Sequence, residues 1–336
     1  MAIGDDAKVA VRSYVAVGKE TTFGTYASAT SALEAISCTF RTDIESEKLD
    51  TFGPNRGFTK RVQLNKVVGG TLEAYLHPID SVLMLAAAMG GGITTSSETG
   101  ATLHAMNGGN FDTTPGSLSF NVRKGSDHTW RYSGGRVNVL TIAANVGEPV
   151  RLTAEFVFKD STQQADDISA ALSISSVQPF VYTGGVLRYA TTEALANTTT
   201  AEERIQGFEL TVNNNFDVDA GRELGTNIPR VIPAKRRDVQ LKVMQRFDTT
   251  TTYNRFIQAT QGSIELQFSG DSMTAEYAHL CRIRLPKVFL NSPDPELGGA
   301  DEVLSSEITY DVLVDSPSTL TGADIKIAVR NSVAAY

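Results

Sequence analysis

This sequence has little of the chemistry on which disulfide scaffolds, zinc sites and membrane spans depend. It contains 2 cysteines, 4 histidines and 1 tryptophan in 336 residues. Two cysteines are too few for a disulfide framework or a four-cysteine zinc site, and they predict a reducing compartment. No apolar run reaches the roughly 18 to 20 residues of a spanning helix, because the best candidate, residues 82–89, is short and lies between Asp80 and Gly90. We therefore expect no membrane embedding by this chain.

Catalytic and cofactor motifs are also missing. None of the four histidines falls in a His-Glu-x-x-His or other paired-ligand spacing. Residues 90–92 are three glycines, but no Lys-Ser/Thr follows them as in a phosphate loop. Residues 217–223 have the acidic spacing that opens a calcium loop, but Ile228 stands where the bidentate glutamate belongs. These absences predict a protein that is not an enzyme and takes no cofactor and no metal.

The charge balance is acidic, with a formal net charge of -8. A protein that grips nucleic acid by its phosphates needs a basic surface, so this balance argues against that role. It does not argue against a protein past which nucleic acid must slide. Asp5 and Asp6 lie where a signal peptide would be basic and then apolar, so secretion by that route is not expected.

Alternation of apolar and polar residues predicts a mainly β protein of the α+β layered kind. The predicted strands lie at residues 13–17, 72–76, 118–122, 137–142, 151–158, 205–212, 239–243, 264–268, 282–288 and 308–314. Two short helices are predicted, at residues 79–89, which end at glycines, and at residues 251–260, which end before Gly262.

An internal repeat organises these elements. Residues 116–142 align without a gap to residues 262–288, with four identical pairs and a shared period of two in the apolar positions. We therefore expect a first copy at residues 1–160, a polar linker at 161–176, a second copy at 177–316 and a C-terminal arm at 317–336 that is able to form a last strand. The first copy has an insert at residues 93–115, which is predicted to be a surface loop.

One segment carries a resemblance to a known family. Residues 14–27, YVAVGKETTFGTYA, resemble the opening of tailed-bacteriophage tail tube proteins, in which a strand leads into a Gly-Lys/Gln-Glu, Thr, aromatic, Gly-Thr turn. The resemblance continues in kind through residues 67–72 and the helix at residues 79–89, and the repeat extends it to the second copy. It implies the major tail protein of a long non-contractile (siphovirus) tail. Its fold would be two tandem tail-tube-type β-barrel or sandwich domains, each with one short helix and a long hairpin.

The resemblance also implies an assembly. In that family six barrel domains form a ring, and stacked rings enclose a channel for DNA ejection and for the tape measure protein. A chain with two such domains would need three copies for a pseudo-sixfold (pseudo-hexameric) ring, so we expect a stacked homotrimer. Its other partners would be the tail tip and terminator proteins and DNA in transit, without sequence-specific binding. It would be assembled in the host cytoplasm and located in the virion tail.

We predict a functional role for each of two sets of charged residues. Basic residues of the two long hairpins are expected to contact the next ring, where charge fixes register more than it adds affinity; they are Arg56, Lys60, Arg61, Arg230, Lys235, Arg236 and Arg237. Acidic residues in or beside the hairpin strands are expected to face the lumen and repel phosphate; they are Glu45, Glu47, Asp50, Glu73, Asp217 and Asp219. The alternative for both sets is a solvated outer face, since exposed ion pairs contribute little.

Two other functional classes stay open at this point. The first is the tube or shaft protein of a contractile phage-like or secretion apparatus, which would share the sheet and the helix. The second is a tandem carbohydrate-binding β-sandwich, which clustered exposed aromatics would favour. A single tryptophan does not favour that second class.

Overall fold

A computed structural model describes most of the chain. The described residues are 13–29, 31–50, 57–108, 116–125, 128–164, 168, 172, 174–196, 199–202, 204–246, 251–292, 305–316 and 322–336. Strands dominate these residues, so the prediction of a mainly β fold is confirmed. No helix among them has the length and apolar character that a membrane span requires.

The elements follow the order expected from the alternation of the sequence. The first half contains β1 (Tyr14–Lys19), β2 (Ser31–Leu33), β3 (Ala35–Cys38), β4 (Arg41–Leu49), β5 (Lys60–Tyr75), α1 (Val82–Ala88), β6 (Thr94–Glu98), β7 (Ala101–Asn107), β8 (Leu118–Lys124), β9 (His128–Asn145), β10 (Arg151–Phe158) and β11 (Asp160–Gln164). The second half contains β12 (Gly185–Ala190), α2 (Glu193–Ala196), β13 (Ile205–Asn213), β14 (Asp238–Arg246), α3 (Thr251–Ile257), β15 (Gly262–Ser272), β16 (Ala278–Ser292), β17 (Ser305–Val312) and β18 (Lys326–Asn331).

The first half is a two-layer sandwich in which the long strand β9 belongs to both layers. Its first part pairs with β8 and β11, and β8 continues to β1 and β2. Its last part pairs with β10, which continues to β5 and then to β3 and β4. The buried ring of Phe40 packs edge-on against Phe120, Tyr132, Phe156 and Phe158 between the layers. These rings hold the layers together because aromatic side chains carry much of a core's buried area.

The second half repeats this hydrogen-bonding pattern. Its long strand β16 pairs in its first part with β15 and β18, as β9 does with β8 and β11. The last part of β16 pairs with β17, which continues to β14 and β13. Strand β12 pairs with β15 as β1 pairs with β8. Buried side chains of both halves form one contiguous hydrophobic cluster.

The gap-free alignment of residues 116–142 with residues 262–288 is wrong for the second strand of the hairpin. It pairs β8 with β15 at the stated offset, but β9 and β16 need a larger one. Phe120 faces Tyr132 in the first half, whereas Leu266 faces Ile283 in the second. The offset is 146 for the first strand (266 minus 120) and 151 for the second (283 minus 132). The second hairpin is therefore five residues longer, and an insertion at a hairpin turn leaves the inward alternation of both strands intact.

Both predicted helices are present. Helix α1 lies within the predicted residues 79–89, and all seven of its residues, VLMLAAA, are apolar and buried, as expected for a helix enclosed on every side. It ends at Gly90 and Gly91, whose φ angles of 103° and 83° are unfavourable for other residues. Helix α3 lies within the predicted residues 251–260.

The insert and the C-terminus differ from the expectation of a loop and an arm. The insert at residues 93–115 is not only a loop, because Thr94–Asn107 contains the antiparallel pair β6 and β7; residues 109–115 lie outside the described residues. The predicted last strand forms as β18, and it pairs with β16 on one side and β7 on the other. Alternating apolar residues at 325, 327 and 329 explain this, since they bury one face of β18 in the chain's own core.

The second long hairpin also differs from the prediction. In the first half, β4 and β5 form an extended hairpin that runs from Arg41 opposite Gly69 to Leu49 opposite Lys60. In the second half, β13 and β14 pair only over their own lengths, and residues 214–237 between them form a loop closed by one isolated bridge, Phe216 to Ala234. Strand β11 extends into the predicted linker as far as Gln164.

Candidate functional site

The two halves are joined by one continuous sheet. The last part of β9 pairs with β10 on one edge and with β13 on the other, with seven facing pairs from Gly207 opposite Asn145 to Asn213 opposite Val139. The sheet therefore runs through eight strands in the order β3, β5, β10, β9, β13, β14, β17 and β16. We call these eight strands the joined sheet.

One face of the joined sheet is apolar and packs on the core, and the other is polar. Residues that face each other on neighbouring strands share a face. One row of facing residues crosses seven strands of the polar face: Glu73, Thr153, Thr141, Thr211, Gln240, Asp311 and Phe289. The intervening residues, such as Leu140, Ala154 and Leu210, are fully buried. The face therefore presents mainly hydroxyl, amide and carboxyl groups to solvent.

The polar face carries charges of both signs, with carboxylates in slight excess. Its carboxylates are Glu73, Glu155, Glu209, Asp238, Glu307 and Asp311, and its cations are Arg136, Arg151, Lys242, Arg246 and Lys287. Five cations and six carboxylates give a net charge of -1 (5 minus 6). Arg151 Nη1 lies 2.9 Å from Glu73 Oε1, and Lys242 Nζ lies 4.0 Å from Glu307 Oε1. Within the described residues, no ion pair neutralises the other four carboxylates.

Of the six acidic residues predicted to face a lumen, the structure brings only Glu73 to this face. Glu45, Glu47 and Asp50 lie on or beside the β4–β5 hairpin, which projects beyond the end of the joined sheet. Asp217 and Asp219 lie in the loop of residues 214–237. The sequence-based reasoning missed Glu155, Glu209, Asp238, Glu307 and Asp311. Their signal is present in the alternation, but only the joint between the halves shows that they share one face.

The projecting part of the β4–β5 hairpin, residues 41–49 and 60–67, is exposed on both faces, and we call it the arm. Facing pairs place Ile44 with Lys66 and Lys48 with Arg61 on one face. The other face carries the acidic residues Asp43, Glu45 and Glu47, with Arg41 and Lys60 at its two ends, and is negative by one charge. Its two faces thus have opposite charge.

Six of the seven residues predicted to contact the next ring are described, and they lie at the same end of the molecule as the arm. Lys60 and Arg61 are exposed on the arm, and Arg56 lies outside the described residues. The other four belong to the loop of residues 214–237. Arg236 is exposed, Arg230 is paired with Glu223 at 3.0 Å, and Lys235 is paired with Asp217 at 2.6 Å. The hydrogen bond from Lys235 lowers the pKa of Asp217.

Arg237 differs from these residues because it is mostly buried. Its Nη1 lies 2.9 Å from Asp324 Oδ1, and its Nε donates to Asn214 Oδ1 at 3.0 Å. Asn214 Nδ2 in turn donates to the carbonyls of Ala88 and Val137. Arg237 therefore fastens the loop to the body of the chain, a role that its position in a basic run does not indicate.

The turn after β1 is held by a buried glutamate. Glu20 is 3% exposed, and its carboxylate accepts hydrogen bonds from the backbone N–H groups of Gly24 and Gly134 and from the hydroxyls of Ser117 and Ser119, at 2.6–2.9 Å. Gly24 has a φ of 73°, in the left-handed region that favours glycine. The Gly-Lys-Glu-Thr-Thr-Phe-Gly segment is thus a structural tie between β1, β8 and β9.

Three histidines lie buried around the start of α1, the insert and the C-terminus. His77 Nδ1 accepts from the backbone N–H groups of Ile79 and Asp80, and His104 Nε2 lies 2.9 Å from the carbonyl of Val333. Burial lowers the pKa of His279 and raises the pKa of Asp80. These contacts are explained by packing, and within the described residues no group of three or more His, Cys, Asp or Glu side chains is arranged to hold a metal ion.

Comparison with known proteins gives one match. The model of a family described as phage tail tube protein matches residues 10–312, which is most of the chain. A search of curated proteins finds no match.

Proposed function

Because this chain belongs to the phage tail tube protein family, we propose that three copies close into a pseudo-sixfold ring and that stacked rings form the tube of a long non-contractile tail. The polar face of the joined sheet lines the channel. Before ejection the channel holds the tape measure protein, and during ejection DNA passes through it. The rings assemble in the host cytoplasm and bind the tail tip and terminator proteins at the two ends of the tube.

The observation that carries this proposal is the joint between β9 and β13. The outer edge of β3 and the outer edge of the last part of β16 have no partner strand within the described residues. These two edges are the counterparts of the edges that β13 and β9 bring together inside the chain. Repeating the same joint between chains would bring all open edges of the joined sheet into pairs, and a closed barrel is the arrangement that removes sheet edges altogether.

Facing partners give the register of this second joint. In the first half, one row of facing residues crosses β9, β10, β5 and β3 at Leu140, Ala154, Leu72 and Cys38. The corresponding row of the second half crosses β16, β17, β14 and β13 at Leu290, Tyr310, Leu241 and Leu210. Cys38 is therefore the counterpart of Leu210, and Leu290 is the counterpart of Leu140. Inside the chain Val139 faces Asn213. The corresponding contact between chains is Phe289 of one copy opposite Arg41 of the next.

The free edge beside β3 is protected in a single chain. The carbonyl of Phe40, next to this edge, accepts hydrogen bonds from Lys124 Nζ at 2.8 Å and from the Tyr132 hydroxyl at 3.1 Å. An exposed edge is a site of uncontrolled pairing, and side chains that cover it guard against aggregation. Ile36, on β3, is nevertheless 42% exposed. Ile36 lies at the register shift between Ala35 and Ser37, and its neighbour Ala35 is the counterpart of Phe208, which is 7% exposed within the joint. The joint between chains would therefore cover this stretch of β3 as well.

Cysteine cross-linking tests the ring. We would place Arg41→Cys with Phe289→Cys in a Cys38→Ser background and oxidise assembled protein. Facing Cβ atoms of an antiparallel pair lie about 4.5–5.5 Å apart, close enough for a disulfide with little movement. The expected product is a ladder of linked chains on a denaturing gel that ends at three. A ladder that continues to six would refute the three-chain ring.

Two controls make the cross-linking result specific. Val139→Cys with Asn213→Cys has the same geometry inside one chain and should form an intrachain disulfide without assembly. Arg41→Cys with Lys287→Cys is a diagonal pair, because Lys287 lies two residues before Phe289 on the same face. Cβ separations of about 7–8 Å for such pairs predict a much lower yield. If tubes form but the cysteines at positions 41 and 289 do not cross-link, the proposed register of the joint between chains is wrong. If the unmodified protein forms neither rings nor tubes under electron microscopy, the proposed function itself fails.

The charge of the polar face supports its place in the channel. The four carboxylates of this face that no ion pair among the described residues neutralises, Glu155, Glu209, Asp238 and Asp311, repel phosphate along the wall, so that the duplex does not adhere to it. The threonine row gives a surface of neutral hydroxyl groups between these carboxylates. Exposed basic residues at the arm end, Lys60, Arg61, Arg230, Lys235 and Arg236, are proposed to meet the next ring.

A further inference from the structure

The two halves differ at the end of the molecule from which the arm projects. In the first half, the connection between the strands of the joined sheet extends outward as the paired arm. In the second half, the corresponding residues 214–237 fold back against the body. Asp217 N donates to the Pro233 carbonyl, and Arg230 N donates to the Gly221 carbonyl. Each chain therefore has one arm and one compact loop.

The compact loop contacts the root of the arm directly. The backbone N–H of Lys66 donates to the carbonyl of Asn227 at 2.8 Å. The guanidinium of Arg222 donates to the carbonyl of Asn227 at 3.1 Å and to that of Lys66 at 3.4 Å. Arg222 is itself oriented by Asp219, 3.0 Å away, and its side chain is 13% exposed.

A second set of contacts holds the root from the side of β11. Lys66 Nζ donates to Asp160 Oδ1 at 2.5 Å and to the carbonyl of Ser161 at 2.6 Å, and the hydroxyls of Thr42 and Ser161 are hydrogen-bonded. An isolated two-stranded hairpin is marginally stable in water. The direction of the arm is therefore determined by what grips its root on these two sides.

We propose that the loop of residues 214–237 is a brace for the arm, that the arm docks on a second copy of this chain in the next ring, and that each ring carries three arms rather than six. This proposal rests on the proposed function in one respect, which is that the second copy lies in the next ring. The brace itself is a property of the single chain. Duplication has thus given the two halves different tasks, and contact between rings is threefold.

The surface of the arm fits a second copy of the chain. Its faces have opposite charge, so that each finds its complement on a protein that carries both signs. It also exposes large apolar side chains at Ile44, Val62, Leu64 and Val67, with exposed fractions of 36–49%.

The receiving surface is at the opposite end of the joined sheet. Stacking copies along the strand direction brings the arm to the end where β9 turns into β10. Val146 there is 63% exposed and Val181 is 41% exposed, and the backbone N–H of Tyr182 donates to the carbonyl of Glu148, which keeps this acidic residue beside them. Apolar contacts flanked by opposite charges are the composition of a specific interface between proteins.

Hydrogen exchange of the unassembled chain tests the brace without requiring rings. Arg222→Ala removes the guanidinium from the root of the arm and leaves the backbone of the loop in place. We expect amide exchange in Arg41–Leu49 and in residues 60–66 to become about tenfold faster, the change that follows from losing about one charge-assisted hydrogen bond. Glu223→Ala is the matched control, because it removes an exposed ion pair of the same loop, the one with Arg230, that does not touch the arm.

Assembly of the same variants tests the docking. Arg222→Ala should form rings but fewer and shorter tubes, whereas Glu223→Ala should form tubes nearly as the unmodified protein does. Unchanged exchange of the arm in Arg222→Ala, or equal acceleration in Glu223→Ala, would refute the brace. Six equivalent arm densities around each ring in a reconstruction without imposed symmetry would refute the count of three. Loss of rings in the unmodified protein would instead count against the proposed function.

Discussion

Replacing Glu20 tests whether the turn after β1 is the structural tie that its contacts indicate. The carboxylate is 3% exposed and accepts four hydrogen bonds, from Gly24 N, Gly134 N and the hydroxyls of Ser117 and Ser119. Glu20→Ala leaves two backbone donors buried without an acceptor, at about 1–3 kcal/mol each. The hydroxyls can rotate toward other acceptors. We therefore expect the variant to lose on the order of 4 kcal/mol of unfolding free energy.

Glu20→Gln is the more specific variant because it keeps the size of the side chain. Its amide presents one oxygen and one NH₂ group, so at least one of the two backbone donors then faces another donor. The expected loss is about 2 kcal/mol, between those of the native chain and of Glu20→Ala. Glu47→Gln, on the exposed arm, is the control and should change stability by less than about 0.5 kcal/mol.

Urea unfolding of the unassembled chain, followed by circular dichroism, measures these differences. With a slope of about 3 kcal/mol per molar urea, a loss of about 4 kcal/mol lowers the midpoint by about 1.3 M. The urea midpoint should be highest for Glu47→Gln, lower for Glu20→Gln and lowest for Glu20→Ala. A midpoint for Glu20→Ala within about 0.3 M of the native value would refute the reasoning.

Three further predictions concern the channel face, pH and the thiols. Neutralising the four unpaired carboxylates of the polar face, with Glu155→Gln, Glu209→Gln, Asp238→Asn and Asp311→Asn in one variant, should raise the partition of short duplex DNA into assembled tubes at low salt. No increase is expected at 1 M salt, and an unchanged partition at low salt would count against an acidic lining. Burial lowers the folded-state pKa of His279 below its unfolded value of about 6.5, so its contribution to stability is present above that pH and is lost as pH falls through the folded pKa. The urea midpoint should therefore fall less between pH 7 and pH 5 in His279→Gln, and equal slopes would refute the assignment. Burial raises the pKa of Cys281 to about 12, so iodoacetamide at pH 8 should alkylate the partly exposed Cys38 and leave Cys281 unmodified, as mass spectrometry would check.

Much of the fold could be predicted from local patterns. A period of two is a local property, so β10 and the second half's β13 were predictable from alternation. Helix α1 was predictable because its apolar run is followed by glycines. The duplication was also visible, although the five-residue difference between the hairpins was not. A turn can absorb extra residues without disturbing the inward face of either strand.

The candidate site was less predictable. Alternation shows that Glu155 and Glu209 point away from the core, but not that both belong to one surface. Opposite charge on the two faces of the arm depends on the facing pairs of β4 and β5, including a register shift between Ile44 and Ser46 that no local pattern indicates. The basic run of residues 235–237 reads as one surface feature, yet Arg237 is committed to Asp324.

The sequence by itself determined the β-rich class, the duplicated plan and the turn with Glu20. These follow from spacing and residue type within short segments. Only the tertiary structure decided that β9 pairs with β13, that one face of eight strands is continuous and polar, and that residues 214–237 of the second half contact the root of the arm instead of forming a second arm. The physical reason is that pairing between strands far apart in sequence depends on the backbone edges that the folded chain brings together.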